Sequence, residues 1–418
     1  MTTNARCRKR RIVGARRMVD MWALKDTWFR WWFPFVIFTM SRIINAVMIT
    51  AASGRQVALT PWNNPGMFIY LSKAADPGYF DLTTNWDGQW YQYIATEGYP
   101  GPSASTDSQG VDPLWAWAFP PLYPMLLRGA MTVTGASMPL VSTVLNFVLG
   151  AAAVTVLYRL LERSGGRSLA ASGVLLISCF MAAPILQMAY SEALGLLLIL
   201  GVLLAIETSH FGWAVALTVS LGFTRLVTAP LVAVCLVQFL ALRSRPGYRI
   251  KNRATIGLVI VATLAVGGIW AWSWAATNLA PASTAASSRT KASSALSFGW
   301  FSQGVHYLGW PFGVGVGVFL VALLLLSRSQ WTRDWPRTLR SWLWSYPALL
   351  MIATPMTGGI LRYLLLCPAF ALLPAGSRDI VMPRIRAIAV GLACIAGLVL
   401  QLVYIEHLLV IAPGNLMP

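Results

Sequence analysis

The sequence has few charged residues, very few acids and almost no cysteine or histidine. Only 11% of its 418 residues are charged, and 14 acidic residues stand against 32 basic ones. Soluble domains carry about a quarter charged residues, so the composition argues against a soluble protein. The 5 cysteines form no CxxC pair and the 3 histidines are scattered. Neither a disulfide framework nor a zinc site is indicated.

Apolar residues are abundant instead. They make up 57% of the chain, and the mean hydropathy is +0.62. Many apolar runs approach the roughly 20 residues that a transmembrane helix needs. We therefore expect an all-α, polytopic transmembrane helical bundle in the cell membrane, with the lipid bilayer as its surroundings.

The basic residues follow the apolar runs rather than forming one patch. Nine of them lie in residues 1–31, and most others lie in short segments between apolar runs. This is the distribution of cytoplasmic segments in membrane proteins, so the isoelectric point near 10.3 does not indicate a nucleic-acid partner. We predict a cytoplasmic basic arm at 1–31, a membrane domain at 32–411 and an external tail at 412–418.

The alternation of apolar and basic segments predicts about 11 spans, with the N-terminus inside and the C-terminus outside. Two long loops, 52–118 and 278–304, are then external. Segment 122–136 is short and contains Arg128, so we interpret it as re-entrant or interfacial; if it crossed, the later basic loops would face outward. The predicted spans are 32–51, 138–158, 168–186, 190–207, 211–224, 226–242, 255–277, 305–327, 338–354, 361–375 and 387–411.

The first external loop contains an unusual polar and aromatic stretch at 85–100. At helical spacing one face is aromatic and apolar, which is typical of a helix lying in the membrane interface. Asp87 falls in the first turn. Its carboxylate either stabilises the helix through the dipole, with Asn85 as the N-cap, or has a chemical role. The apolar face consists of Trp86, Trp90, Tyr93 and Ile94.

Other polar groups fall at the predicted external ends of spans, where an unpaired charge is costly. They are the Asp87 loop, Tyr190-Ser191-Glu192, Thr224-Arg225 and the segment from Gly358 to Arg362-Tyr363. Two interpretations remain open. Glu192 pairs with Arg225 or Arg362 as a structural tie between helices, or the groups line a cavity that binds an anion and holds a carboxylate.

Two further polar residues have alternative interpretations. Arg42 lies near the middle of span 32–51, where it either snorkels to the interface or faces inward for a function. His306 lies near the second external loop, where it either contacts a sugar or phosphate or is a solvated surface group.

Several of these segments carry a family resemblance. Trp86-Asp87-Gly88-Gln89-Trp90-Tyr91, followed by Ile94-Ala95-Thr96-Glu97-Gly98-Tyr99, resembles the first-loop motif of the GPI mannosyltransferase II (class V) family and its bacterial relatives. These are multispanning glycosyltransferases of the GT-C superfamily. Further elements similar to that family follow in order: Phe119-Pro120-Pro121-Leu122-Tyr123-Pro124, Tyr190-Ser191-Glu192, Thr224-Arg225 and Arg362-Tyr363.

The resemblance implies a GT-C fold and an inverting transfer of mannose from a polyprenyl-phosphate-mannose donor to a lipid-linked glycan at the external face. Asp87 is then the general base that deprotonates the acceptor hydroxyl. No cofactor and no metal are implied. The donor phosphate is assigned to Arg225, Arg362 and Arg42. The substrate contacts are assigned to Glu192, Tyr190, Trp86, Gln89, Tyr123, Tyr363 and His306.

Other functions stay open at this stage. The same chemistry would serve another polyprenyl-phosphate sugar, such as arabinose or glucose, or a protein acceptor. A transporter or flippase for a lipid-linked sugar is the competing class. Against it, the polar groups crowd one predicted side, and the sequence shows no repeated halves or paired broken helices.

Overall fold

The computed structural model describes nine parts of the chain: residues 29–58, 71–101, 104, 113–244, 246, 252–279, 299–354, 359–377 and 380–412. Parts of several predictions lie outside these residues. They are most of the basic arm 1–31, parts of the 52–118 loop, most of the 278–304 loop, the tail from 413, and Gly358.

The regular structure of the described residues is helical. We number the helices in chain order, and 3₁₀ turns at Pro113–Ala118 and Ala183–Gln187 lie between them. The helices are α1 Phe29–Ser53, α2 Gly78–Leu82, α3 Asp87–Thr96, α4 Leu122–Thr134, α5 Met138–Ser178, α6 Glu192–Glu207, α7 Phe211–Gly222, α8 Pro230–Arg243, α9 Arg253–Leu279, α10 Gly299–Leu308, α11 Trp310–Arg328, α12 Arg337–Ala353, α13 Ile360–Leu364, α14 Pro368–Ala371 and α15 Pro383–Tyr404.

Among the described residues, 5 helices are long and apolar enough to cross a membrane: α1, α5, α9, α11 and α15 with its π-helical continuation to Leu409. The shorter helices α7 and α8 are also apolar. The described part of the chain is thus helical, as expected of a multi-pass membrane protein, while the predicted count of about eleven spans is not confirmed. One reason is that predicted span 361–375 is divided among α13, α14 and a further 3₁₀ turn.

Two glycines break the helices near predicted spans. One lies between spans 138–158 and 168–186, and the other lies within span 305–327. In α5, which runs for 41 residues, Gly166 has φ 73° and ψ −176° and separates two helical arms. It lies between Arg163 and Arg167, where the sequence predicts a basic turn. Gly309, at φ 80°, separates α10 from α11 in the same way. Positive φ is readily adopted only by glycine, so these breaks are encoded locally.

Helix α4 corresponds to the segment interpreted as re-entrant or interfacial. Its 13 residues extend about 20 Å, less than the roughly 30 Å of a hydrocarbon core. It ends at Gly135 in the left-handed conformation, while Tyr123 and Leu127 are fully buried. Its length alone therefore does not suffice for a crossing.

The centre of the bundle is α6, which packs against α5, α7 and α12. Twelve of its 16 residues are buried, because the helix is apolar on every side. Glu192, in the first turn, is the one charged residue among these twelve buried residues. The core helix therefore presents one carboxylate at one end of the bundle.

Close packing of α15 gives a test of the fold. A Cβ at Gly397 would lie 2.0 Å from the Cys179 carbonyl oxygen, whereas one at Gly391 of the same helix would meet nothing within 4 Å. We expect Gly397→Ala to cost about 1–3 kcal/mol through overpacking. Gly391→Ala should be neutral or slightly stabilising, since alanine favours helix. Thermal unfolding of both purified variants checks this, and equal midpoints would contradict the described packing.

Candidate functional site

Helix α3 begins at Asp87, and its N-cap is Trp86 rather than the predicted Asn85. The Asn85 side chain is turned away from the helix. Its Nδ2 donates to the Leu409 carbonyl at 3.1 Å and to Gln56 Oε1 at 2.7 Å. The sequence prediction of an Asn85 cap is therefore wrong, because long-range partners compete for the amide.

Trp86 holds a strained backbone conformation directly before Asp87, with φ 54° and ψ −118°. Such a conformation costs about 1–3 kcal/mol in a residue other than glycine and persists only where surrounding contacts enforce it. The Trp86 side chain is buried, and its indole N–H donates to the Leu409 carbonyl at 3.1 Å. The C-terminal π-helical turn thereby holds the backbone that orients Asp87.

The apolar face of α3 is covered by protein rather than by lipid. Trp90 is 4% exposed and stacks on Phe119 at 6.4 Å between ring centroids, and Ile94 is fully buried. The prediction that Trp86 and Trp90 anchor an interfacial helix in lipid is thus wrong, because Phe119 covers Trp90 and Trp86 is buried with its indole against Leu409.

The far end of α3 is held by an arginine of α4. Arg128 Nε donates to the Ala95 carbonyl at 2.6 Å, and its Nη2 donates to the Thr96 carbonyl at 2.9 Å. These are the carbonyls that a helix leaves without partners at its C-terminus, where a cation is also favoured by the dipole. Arg128 therefore fixes α3 from the end opposite to Asp87.

The start of α3 also packs closely on the segment that precedes α6. The Ala189 amide donates to the Thr83 carbonyl at 2.8 Å, and Tyr190 Oη donates to the Asn85 carbonyl at 3.1 Å. A Cβ at Gly88 would lie 3.4 Å from Ala189 Cβ. These contacts bring the Asp87 turn to the end of α6 that carries Glu192.

Four charged residues meet at this place. Arg362 Nη2 lies 2.6 Å from Asp87 Oδ2, and Arg225 Nη1 lies 2.8 Å from Glu192 Oε1. Arg362 Nε lies 3.5 Å from the same Glu192 oxygen and so links the two pairs. The structure thus brings together the four polar groups that the sequence analysis places at the external ends of spans.

Hydroxyl groups and aromatic rings hold the arginines. Arg225 Nη1 donates to Ser191 Oγ at 3.1 Å, and Ser191 is hydrogen-bonded to Tyr91 Oη at 2.7 Å. The Arg362 guanidinium lies 5.2 Å from the ring centroid of Tyr190 and 5.0 Å from that of Tyr363, within cation–π range. Burial raises the pKa of Tyr91, which keeps its hydroxyl protonated.

The cluster borders a cavity of about 220 Å³. Asp87 is partly exposed there, with 29% of its side chain accessible. Arg362 is 7% exposed, and its Nη1 is buried without a hydrogen-bond acceptor among the described residues. An unsatisfied cationic donor is costly, so this atom has capacity for an anionic ligand. The polar lining is Asp87, Tyr91, Ser191, Thr224, Arg225, Arg362 and Tyr363.

Several predicted site residues lie behind the lining rather than in it. Glu192 and Tyr190 are buried beneath the arginines. Gln89 is buried, and its Oε1 accepts from the Leu71 amide at 3.1 Å. Tyr123 is buried with its ring 4.9 Å from that of Tyr91. These side chains, like Trp86, support the site from within the protein, and their assigned substrate contacts stay predictions.

Arg42 and His306 do not line the cavity. The Arg42 guanidinium donates to the carbonyls of Ser178, at 3.3 Å, and Ala183. Arg42 is thus inward-facing, and it ties the last residue of α5, Ser178, to the 3₁₀ turn that begins at Ala183. His306 is exposed on α10, beside the ring of Tyr307. The structure lends no support to a phosphate role for Arg42.

The lining residues that were not singled out from the sequence include Tyr91, Ser191 and Phe119. Each of these three lies inside a motif quoted above. Their places inside these motifs were the sequence feature from which they could have been identified. Which face of each motif reaches the cavity depends on the packing of α3 against α4 and α6.

A lysine stabilises the chain just before Asp87. Lys73 is buried and donates from Nζ to the carbonyl and the hydroxyl of Thr84, both at 3.0 Å. Burial lowers the pKa of Lys73 to about 8, with Asp81 acting in the opposite direction. Lys73 is therefore a structural part of the loop that carries Asp87.

The described residues contain no group of three or more His, Cys, Asp or Glu side chains that could hold a metal ion. The charged cluster has instead two carboxylates and two guanidinium groups. The positive charges of the cluster are those of Arg225 and Arg362.

Comparisons with known proteins give a weak structural likeness. No family model matches the chain, and no curated protein matches it. A crystal structure of the oligosaccharyltransferase from Archaeoglobus fulgidus, in complex with zinc and sulfate, is similar with a TM-score of 0.42 and 13% identity. The similarity covers 90% of this chain and 54% of that protein, so this chain spans about half of its length. The function is therefore argued from the site.

Fold and site together define a class: a multi-pass helical membrane protein with a carboxylate and two arginines on a cavity at one end of the bundle.

Proposed function

We propose that the protein is an inverting membrane glycosyltransferase that uses a polyprenyl-phosphate sugar as donor. The observation that carries this proposal is the meeting of Asp87, Arg225 and Arg362 on one cavity. A carboxylate is suited to accept a proton from a sugar hydroxyl. Guanidinium groups are suited to hold a phosphate and stabilise its growing charge.

In the proposed reaction the acceptor hydroxyl oxygen attacks the anomeric carbon of the donor sugar. The bond from that carbon to the phosphate oxygen breaks, and the polyprenyl phosphate leaves with the bonding electrons. Asp87 takes the proton of the attacking hydroxyl. Because attack and departure occur on opposite faces of the sugar, the anomeric configuration inverts. Arg225 and Arg362 hold the phosphate while its negative charge increases.

The pairing of Asp87 with Arg362 bears on how the donor binds. One donor of Arg362, Nη2, is at 2.6 Å from Asp87, while Nη1 has no acceptor among the described residues. We infer that the donor phosphate binds at Nη1 and on Arg225, so that Arg362 bridges phosphate and carboxylate. This would set the distance between base and leaving group, and orientation of this kind is a large part of catalysis.

Glu192 has a separate role in this arrangement. It is 1% exposed and neutralises Arg225, with Arg362 close by. A buried carboxylate between two arginines keeps them side by side, where they would otherwise repel each other. We therefore assign Glu192 to positioning the arginines rather than to contact with a sugar.

The proposed substrates are mannose as the sugar and a lipid-linked glycan as the acceptor. Both rest on the motif resemblance given above. The purified protein in nanodiscs should be supplied with polyprenyl-phosphate-linked mannose, glucose or arabinose and with extracted lipid-linked glycans. Mass spectrometry of the glycolipids then reads the product. Transfer of mannose alone supports the assignment, transfer of another sugar corrects the donor, and no transfer with any of the three contradicts the proposal.

We further propose that the cavity faces the outside of the cell, since the basic segments mark the cytoplasmic side. Single cysteines replacing Ser103, Ser287 and Arg245, in a chain without its own cysteines, should be treated with an impermeant thiol reagent on intact cells. We expect labelling of the first two positions and not of the third. All three positions lie outside the described residues, so the experiment is independent of the structure. The opposite pattern would reverse the orientation.

A further inference from the structure

A second charged cavity lies at the other end of the bundle. It encloses about 440 Å³ and is lined by residues of three helices. From α6 and its C-cap it uses Leu204 and Thr208, whereas the candidate active site uses Ser191, the N-cap of that helix. At about 1.5 Å per residue, α6 separates the two cavities by roughly 20 Å. The remaining lining residues are Arg30, Trp31, Arg159, Glu162 and Arg163.

The cavity carries an excess of positive charge. Glu162 is already paired, with Arg30 Nε at 3.0 Å and Arg167 Nε at 3.7 Å. Arg159 and Arg163 have no carboxylate partner among the described residues. The Arg159 guanidinium lies 3.9 Å from the centroid of the Trp31 ring, and its buried Nε has no hydrogen-bond acceptor there. The ring holds the cation in place, and the Nε–H remains able to donate to an anion.

An apolar cleft adjoins this charged cavity. It encloses about 390 Å³ between α1 and α5, and Trp31 belongs to both linings. Its floor is made of small residues, Ala151 and Ala152, and its sides are aromatic, Trp32 and Phe35. Both α1 and α5 are long and apolar enough to span a membrane, so the cleft opens along membrane-spanning helices. Such a cleft accommodates a hydrocarbon chain.

We propose that these two cavities form a binding site for one anionic phospholipid. The headgroup phosphate lies between Arg159 and Arg163, and one acyl chain follows the cleft between α1 and α5. The site is distinct from the candidate active site, because it lies at the opposite end of α6 and shares no lining residue with it. The basic residues of segment 1–28, which precedes α1, would be repelled by these arginines, which argues against that segment as the occupant.

Native mass spectrometry of the full-length protein tests the proposal. The protein is delipidated in detergent and offered equal amounts of dioleoyl phosphatidylglycerol and dioleoyl phosphatidylcholine. We expect one tightly held phosphatidylglycerol, preferred at least about tenfold over phosphatidylcholine. Arg159→Gln and Arg163→Gln should each reduce the preference, and the double variant should abolish it. Arg328→Gln, at an exposed arginine that lines neither cavity, is the matched control and should retain it.

Two further experiments distinguish binding of the lipid headgroup from binding of the acyl chain. Ala152→Trp fills the cleft and leaves every arginine in place, so it should weaken binding of both lipids. Millimolar inorganic phosphate should not displace the bound lipid. Equal binding of the two lipids by the natural protein, or equal retention by Arg159→Gln and Arg328→Gln, would overturn the proposal. Displacement by inorganic phosphate would show a simple anion site instead and would equally overturn it. Thermal unfolding midpoints identify any variant that fails to fold. If an arginine variant fails to fold, lipid binding by Ala152→Trp decides whether the proposal holds.

Discussion

Replacing Asp87 with asparagine should lower turnover by about 100-fold or more and leave the fold intact. Losing a general base costs about 10²–10⁴ in rate. Asparagine is nearly isosteric, and its amide oxygen can still accept a hydrogen bond from Arg362 Nη2, which lies 2.6 Å from the carboxylate. Because the remaining arginine donors are unchanged, donor lipid should still bind. Turnover and donor binding measured on the same purified variant check both expectations.

Controls for Asp87→Asn come from the same loop, which the sequence predicts to be external. Asp81→Asn changes an exposed carboxylate of α2 that does not line the cavity, and it should leave turnover near normal. Asp107→Asn and Asp112→Asn, outside the described residues, should also matter far less. Near-normal turnover in Asp87→Asn would rule out the proposed base and direct attention to Glu192. If Asp87→Asn loses donor binding or folding as well as turnover, the Asp87 carboxylate has a structural role.

The second large effect is expected from Arg362→Ala, which should weaken donor use by about 2 kcal/mol or more. Arg362 contacts Asp87 and lies 3.5 Å from Glu192, so its removal takes the cation away from both carboxylates. Arg225→Ala should act similarly, because Glu192 is left buried without its 2.8 Å partner. Lysine at either position should rescue only in part, since it lacks the guanidinium fork.

Arg55→Ala is a suitable comparison for the two arginines. Arg55 also pairs with a carboxylate, Glu406 at 3.0 Å, but its side chain is 65% exposed, and it does not line the cavity. An exposed ion pair is worth about 0–1 kcal/mol, so this variant should use the donor almost normally. If Arg225→Ala, Arg362→Ala and Arg55→Ala all retain normal activity with purified polyprenyl-phosphate-mannose, the arginines tie helices together and do not bind phosphate.

Much of the architecture could be predicted from local sequence properties. The apolar runs predict where helices form, and most predicted spans correspond to helices within a few residues at each end, as for 190–207 and α6 at Glu192–Glu207. The expected meeting of Glu192, Arg225, Arg362 and Asp87 followed from counting alternating spans and basic connections. Helix positions can be predicted in this way because burial of apolar segments depends mainly on local composition.

Other features depended on contacts between distant parts of the chain. Asn85 looked like a helix cap, but Leu409 and Gln56 occupy its amide. Trp90 looked like a lipid anchor, but Phe119 covers it. Arg42 could either snorkel or face inward, and the carbonyls of Ser178 and Ala183 hold it inward. In each case the partner is separated by tens to hundreds of residues, so periodicity carries no information about it.

The amino-acid pattern is enough to indicate a helical membrane protein with a few charged residues at particular helix ends. A run of apolar side chains excludes water whatever its neighbours are, and a charge beside such a run must be paired or solvated. Which charges pair, and which of them face the cavity, follows from how the helices pack together. Those outcomes depend on distances of a few ångströms between α3, α6 and α13, and such distances are set by side-chain packing across the whole bundle.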